Sequence, residues 1–599
     1  MHPIIRDITT RIAKRSQSSR TAYLAQLEKD ATAAPKRSRI SCGNLAHTVA
    51  ACSPTQKGQI LDFTRLNIGI VSAYNDMLSA HQPYKTYPDQ IKQQLNQLGH
   101  SAQFAGGVAA MCDGITQGQD GMELSLFSRD NIAQSTAIAL SHQTFDGTIL
   151  LGICDKIAPG QLMGALSFAH LPTLFIPAGP MSSGISNHDK VAIRQQYAAG
   201  VADQKTLQAM ECQAYHAPGT CTFYGTANTN QLVFEAMGLM LPGSAFVHPD
   251  SALRRALTEY SAHHILKIAR QGDYRPIGKV VDERSLVNGL VALLASGGST
   301  NHTIHMVAIA RTAGLILTWD DIAELSEVVP LLARIYPNGP ADINQFQAAG
   351  GVPALLKALD ARQLLHRDVI TCFGQFSDYL KTPQLVNEQL QWVNTPDSLD
   401  DKVIAPLGQQ FAEHGGLALL QGNLGRGMMK ISAVDPRYRK ITAQARVFDS
   451  QNDVETAYHR GELTQNCVIV VRYNGPAANG MPELHKLMPI LANLMQAGLN
   501  IALVTDGRLS GASGKVPSVL HVTPEASRGG PLSQLQDGDI IEIDADKGLM
   551  NCHSQWQQRD LPYQQEWAPR GCGRELFGAF RRCVTSAEQG ASILFETII

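Results

Sequence analysis

Four groups of residues in this 599-residue chain have the types and spacing to do chemistry. The first is Cys154-Asp155-Lys156, which closes the apolar run GTILLGI. A thiolate, a carboxylate and an amine at one strand end form a dense set of potential ligands, although the triplet alone also describes a buried thiol beside an ion pair. The second is Cys221, inside HAPGTCTFYGTAN at 216–228. Glycines and small residues there let backbone approach a bulky group closely, and a helix expected over 230–239 would lower the thiol pKa. The third is a pair of carboxylates, Asp113 and Glu483, in glycine-rich settings. Pro482 marks the first turn of a helix expected to run to about residue 496, which would set Glu483 beside backbone donors. The fourth is TDGRLSGASGK at 505–515, directly after the apolar run IALV. Glycines interleaved with hydroxyls build anion-binding nests and can orient a nucleophilic or basic oxygen. The segment is not a P-loop, because a glycine is missing at the required distance and Val516 stands where the magnesium-binding hydroxyl belongs. No HExxH and no properly placed GxGxxG occurs, which removes zincin and dinucleotide readings.

The elements that must hold these groups fall into two kinds. Runs over 67–72, 147–153 and 171–176 read as buried strands alternating with helical stretches, the pattern of a parallel α/β sheet whose ligands collect at strand carboxyl ends. Beyond a weakly patterned stretch at 383–401, short β segments predominate, over 441–448, 467–472, 501–505 and 539–543. The expected architecture is α/β: an N-terminal parallel-sheet domain (1–385) carrying the cysteine and Asp113 loops, and a smaller β-rich, barrel-like domain (386–599) carrying Glu483 and the Ser510 loop.

Composition sets the outer limits. Lys+Arg number 50 against 52 Asp+Glu, a net charge of -2. Without a global basic field, neither nucleic acid nor an anionic membrane is an expected partner, and an anionic substrate must meet a local cluster. No apolar run is long enough to span a bilayer. The basic, Ser-rich stretch Arg11–Arg20 reads as a solvated surface helix. Eleven cysteines without CxxC spacing, in a chain with no export pattern, are expected to be reduced in a cytoplasmic setting.

Taken together, these segments resemble the dihydroxyacid dehydratase / 6-phosphogluconate dehydratase family. The likeness runs in order through GGV at 106–108 with CDGI at 112–115, CDKIAPG at 154–160, GPMSSG at 179–184, GTCTFYGTAN at 219–228 and GGSTN at 297–301. It continues through AGGVP at 349–353, GMPE at 480–483, TDGRLSG at 505–511 and HVTPE at 521–525. The resemblance implies an iron–sulfur cluster, 4Fe-4S or 2Fe-2S, on Cys154 and Cys221. It implies a Mg2+ or Mn2+ ion on Asp113, Asp155, Glu483 and a carbamylated Lys156, with Ser510 as base. Relatives that carry a third cysteine have it in the loop after the first strand, where this chain reads YNDMLSAH at 74–81. Cys112, His81 or solvent is left to complete the set. The implied reaction is a hydro-lyase dehydration of a sugar acid to a 2-keto-3-deoxy acid. The loops at 154–160, 216–231 and 510–515 are similar to the phosphogluconate branch, with 6-phospho-D-gluconate as substrate (the Entner–Doudoroff dehydration). Arg508 and Lys515 are then candidate partners of the phosphate. The resemblance also implies a homodimer. Alternatives are a dihydroxy-acid or unphosphorylated sugar-acid dehydratase and, outside enzymes, an anion-binding scaffold.

Overall fold

A computed structural model describes residues 1–31, 36–270, 272–511, 513–556, 559 and 569–595. Strands β1 (Asn67–Ser72), β2 (Ser101–Gly107), β3 (Gly147–Leu151) and β4 (Thr173–Phe175) form a parallel sheet in the order β2-β1-β3-β4. Both β1 and β3 are buried at every residue, which is why they read as unbroken apolar runs rather than alternating ones. The order reverses between β1 and β3, and a crevice opens outside their carboxyl ends at such a switch point. The segments at that edge are 73–81 after β1, 108–113 after β2 and 152–156 after β3. The segment after β4 bridges Pro180 to Thr220 and so draws Cys221 to the same edge.

Two glycines fix the depth of that edge. A Cβ on Gly160 would lie 2.5 Å from the Arg129 carbonyl, and one on Gly164 2.6 Å from that of Ala133. Only glycine lets the helix Ile157–Leu166 lie this close to Ser125–Leu140.

The stretch expected as an unpatterned boundary contains a hairpin, β5 (Lys381–Val386) and β6 (Gln389–Asn394), turning through Asn387 and Glu388 at φ 50° and 64°. Trp392 donates its indole N–H to the Pro242 carbonyl at 3.0 Å, tying the hairpin to the N-terminal region. The expected division at 385/386 runs through it.

The C-terminal part is a closed barrel of β7 (Leu417–Gly422), β8 (Gly425–Lys430), β9 (Lys440–Phe448), β10 (Cys467–Val471), β11 (Ile501–Thr505), β12 (Ser518–Thr523), β13 (Ile540–Asp544) and β14 (Leu549–Cys552). Its order is β10-β11-β12-β8-β7-β14-β13-β9. Met429, Val468, Val470, Val504, Val519 and Ile543 fill the interior. The alternate residues of β10 and β11 pack outward beneath the helices Gln451–His459 and Leu487–Gln496.

The stretch Arg11–Arg20, expected as a solvated surface helix, spans the end of one helix and the start of another (Gln17–Asp30), with Lys14, Arg15 and 17–19 exposed and Ile12 and Ser16 buried. In the helix Pro3–Arg15, Ile5, Ile8 and Ile12 are fully buried in the main core. Arg20 donates to the carbonyls of Ala313, Gly278 and Val281 at 2.7–2.9 Å. Arg20 thus clamps the second helix onto the domain, while Lys14 and Arg15 stay exposed.

Candidate active site

Three carboxylates from distant parts of the chain converge. Asp113, Asp155 and Glu483 are all buried, and each offers an oxygen within 4.8 Å of the others. Glu483 reaches them because it pairs with Arg508 in an isolated β-bridge, the Leu484 N–H donating to the Arg508 carbonyl at 3.0 Å. The expected helix start at Pro482 is therefore corrected: the helix begins at Leu487, and bridge pairing beside a buried guanidinium overrides the proline cue.

The Lys156 ammonium contacts both Asp113 and Asp155, the latter at 2.5 Å. Arg508 donates to Glu483 at 2.9 Å, to Asp113 at 3.0 Å and to the Met481 carbonyl at 2.7 Å. Ser125 donates to Asp113, and Gln117 to Glu483 at 2.7 Å. Burial pushes the Asp155 carboxyl up, but Lys156, Asp113 and Arg508 outweigh it and hold the pKa well below the usual range. Glu483 goes the other way: burial, only partly opposed by Arg508, raises it to about 7. Arg508 was expected beside a phosphate. The structure sets its guanidinium among carboxylates, fully buried, with burial opposed by Asp113, Glu483 and Asp155.

An unpaired buried charge costs far more than the pair is worth. Arg508→Met is accordingly expected to lower unfolding free energy by about 3–5 kcal/mol, read from urea denaturation; a loss below ~1 kcal/mol would mean the carboxylates are neutral in the fold.

The cysteine loops lie next to this cluster. Cys154 has φ 77°, a left-handed conformation unfavourable for a side-chain-bearing residue. Asn230 holds it there by donating to the Cys154 and Asp155 carbonyls at 2.9 and 3.0 Å, and is itself in contact with His302 at 3.0 Å. Cys112 and Cys154 lie close enough to act on one another, which lowers the Cys112 pKa and raises that of Cys154. Cys221 interacts electrostatically with both. Burial, and then Cys112, pushes the Cys221 thiol up to about 12, so the expected lowering by the following helix is corrected: desolvation wins. That helix spans Thr226–Ala236. The loop after β1, which lacks a cysteine, lies against both others. The Ser79 carbonyl accepts from Gly219, and His81 Nε2 approaches the Ile153 carbonyl at 3.1 Å.

The Ser510 loop crosses from the barrel to this edge. A Cβ on Gly511 would stand 2.4 Å from Ser299 Oγ and 2.6 Å from the Thr226 amide, so glycine there is what permits docking. Asn301 donates to the Leu509 carbonyl at 3.3 Å. Ser510 is half-buried, while Lys515 is exposed with its Nζ 5.7 Å from the Tyr336 ring centroid.

Family models for the dihydroxy-acid/6-phosphogluconate dehydratase N-terminal and C-terminal regions match residues 65–378 and 402–591. The chain belongs to the dihydroxy-acid/6-phosphogluconate dehydratase family. It is similar to the phosphogluconate dehydratase of Escherichia coli K12, 55% identical over 99% of this chain and 100% of that protein. The Pseudomonas aeruginosa phosphogluconate dehydratase is 52% identical over 100% and 99%. The dihydroxy-acid dehydratase of Ignicoccus hospitalis is 33% identical over 88% and 94%. Family membership makes the chain a hydro-lyase and sets aside the scaffold reading.

The site also contains groups given no separate role in the sequence: His305, which belongs to the same family likeness as GGSTN at 297–301, Asn230 within the 216–231 loop, and Ser125 and Gln117, which lie in no motif. His305 Nδ1 lies 3.2 Å from the Arg129 guanidinium, which can only donate, so the ring proton sits on Nε2, 3.6 Å from Asp155 Oδ1. Neither of those two facing atoms has a hydrogen-bond partner among the described residues. Ser125, Gln117 and Asn230 likewise act through contacts that no sequence spacing announces.

Proposed function

We propose that this chain dehydrates 6-phospho-D-gluconate to 2-dehydro-3-deoxy-6-phosphogluconate. The observation that supports it most is the juxtaposition, at one sheet edge, of three cysteines with a three-carboxylate cluster and the Ser510 loop.

The donor set fits both absent groups. Oxygens within 4.8 Å of one another would need to draw in by at most about 0.6 Å to ligate one small divalent ion, whose ligands at about 2.1 Å stand no more than ~4.2 Å apart. Asp155 Oδ1, buried without a partner, is a free ligand atom. Cys154 and Cys221 would hold the iron–sulfur cluster with Cys112 as third thiolate, replacing the cysteine missing near Ala80. Asp113, Asp155, Glu483 and Lys156, once carbamylated by CO2, would hold Mg2+ or Mn2+. When bound, these groups supply a Lewis-acidic iron for the C3 hydroxyl and a cation that stabilises charge at C1 and C2.

The chain's own residues do the rest. Ser510, as alkoxide, takes the C2 proton; the C–H electrons form the C2–C3 double bond as hydroxide leaves C3, and the enol tautomerises to the 2-oxo acid. Arg508 and Gln117 orient Glu483, and Ser125 orients Asp113, before substrate arrives. Cys112, Cys154 and Cys221 would supply three thiolates, one fewer than a fully thiolate-ligated cluster takes. Lys515 is carried as a cation near the phosphate, and a homodimer in a cytoplasmic setting is part of the same reading.

The test is 2-oxo acid formation by anaerobically purified protein from 6-phosphogluconate, gluconate and a branched-chain dihydroxy acid in parallel. Preference for 6-phosphogluconate is the expected result. Equal or better turnover of either other acid would overturn the substrate assignment.

A further inference from the structure

The barrel strand β8 ends in a lysine that no motif marks. Met429, the residue before it, points into the barrel core, while Met428 joins the N-terminal core. Alternation therefore turns Lys430 outward with Met428, toward the N-terminal domain. Register agrees: Lys430 pairs across the antiparallel ladder with Leu417, which also joins the N-terminal core. The side chain runs beneath the catalytic loop. A Cβ on Gly514 would stand 3.2 Å from Lys430 Cδ and 3.5 Å from Cε. Two residues on, Ser432 donates to Asn338 at 2.7 Å and links this strand end to the N-terminal loop 336–339.

Lys430 is 4% exposed, and among the described residues its Nζ has no hydrogen-bond partner. A buried amine is normally satisfied, because leaving one unmet costs several kcal/mol. Burial alone draws its pKa down to about 7; no ionisable side chain acts on it. The contact with Gly514, four residues beyond Ser510, sets Lys430 under the far end of the Ser510 loop, and the carboxylates, Lys156 and Arg508 of the metal cluster instead engage one another. In a phosphorylated sugar acid the C6 phosphate is at the opposite end of the chain from C1 and C2.

We propose that Lys430 is the buried counter-charge for the phosphate of the substrate, with the 513–515 backbone and Lys515 closing over it from the loop. This rests on the reading of the enzyme as a phosphogluconate dehydratase. It replaces Arg508, which is engaged with carboxylates, and places the main phosphate partner on the barrel rather than in the loop. The anion could instead be the substrate carboxylate, and the two are separated by comparing phosphorylated with unphosphorylated acid.

The experiment is steady-state kinetics of anaerobically purified wild type and Lys430→Met on 6-phosphogluconate and gluconate, with inorganic phosphate as competitive inhibitor. Lys430→Met should raise KM for 6-phosphogluconate about 10–100-fold, as expected for one charge-assisted contact. It should weaken phosphate inhibition similarly and leave gluconate kinetics within about twofold. Lys430→Arg should recover part of the loss. Thermal stability should hold or rise in Lys430→Met, since an apolar isostere replaces an unmet amine. Unchanged KM and phosphate inhibition would overturn the proposal, and an equal loss on both acids would overturn the phosphate assignment. If the variants do not fold, the wild type decides: phosphate should protect Lys430 from reductive methylation in peptide mapping, and equal labelling with and without phosphate would overturn it. Wild type inactive on 6-phosphogluconate would instead sink the parent reading.

Discussion

Cys154→Ser should cost on the order of 10³-fold in turnover of 6-phosphogluconate, because a Lewis-acid contribution of several kcal/mol converts to that factor. It should also abolish the visible absorption and most of the bound iron of anaerobically purified protein. The residue is built into the crevice rather than laid on it. Its backbone sits at φ 77°, held by Asn230, and its side chain meets Cys112. Serine fits the same space, so stability should change little and the loss should be chemical. Cys112→Ser carries the sharper information. If Cys112 is the third thiolate, iron content and absorption fall as in Cys154→Ser, while His81→Ala, beside Ile153, leaves both intact. The reverse pattern would assign the position to His81.

Ser510→Ala should lower kcat by about 10²–10⁴-fold, the usual worth of a positioned proton-transfer group, with KM changed less than about threefold. The loop is held by Gly511 against Ser299 and Thr226 and by Asn301 on the Leu509 carbonyl. None of these contacts uses the Ser510 hydroxyl, so the loop should keep its place in the variant. Iron content and thermal stability should therefore match wild type. A kcat within threefold of wild type would remove Ser510 from the role of base.

In the parallel sheet β1 and β3 were legible because they are buried at every residue and so leave unbroken apolar runs, while the partly exposed β2 left none; β1, and β11 in the barrel, have the residue limits that their runs suggest. Barrel closure was legible only as β content. Pairs such as β14 with β7 join segments more than a hundred residues apart, and no local pattern records them. The hairpin at 381–394 was missed because Asn387-Glu388 is a weak turn signal where Asn-Gly would have been a strong one. At the N-terminus the charge of 11–20 matched its exposed residues, whereas the buried face of the first helix lies in the helical spacing of Ile5, Ile8 and Ile12, which the charge reading did not use.

At the site, residues inside motifs could be named, but their environments could not. Arg508 stands among glycines and hydroxyls in sequence, which suggested an anion; its partners Asp113 and Glu483 come from distant segments. Cys221 precedes a helix, which suggested a low pKa, and burial reversed it. Lys430 has no motif at all. Its meaning lies in an absence, a buried amine without a partner, that only three-dimensional packing reveals.

The most direct test of the account is iron and acid-labile sulfide quantification on anaerobically purified wild type, paired with 6-phosphogluconate turnover in the same preparation. The account predicts a coloured protein in which activity rises in proportion to bound iron and sulfide and decays with them on exposure to air. A colourless, iron-free preparation that turns over 6-phosphogluconate at full rate would contradict it.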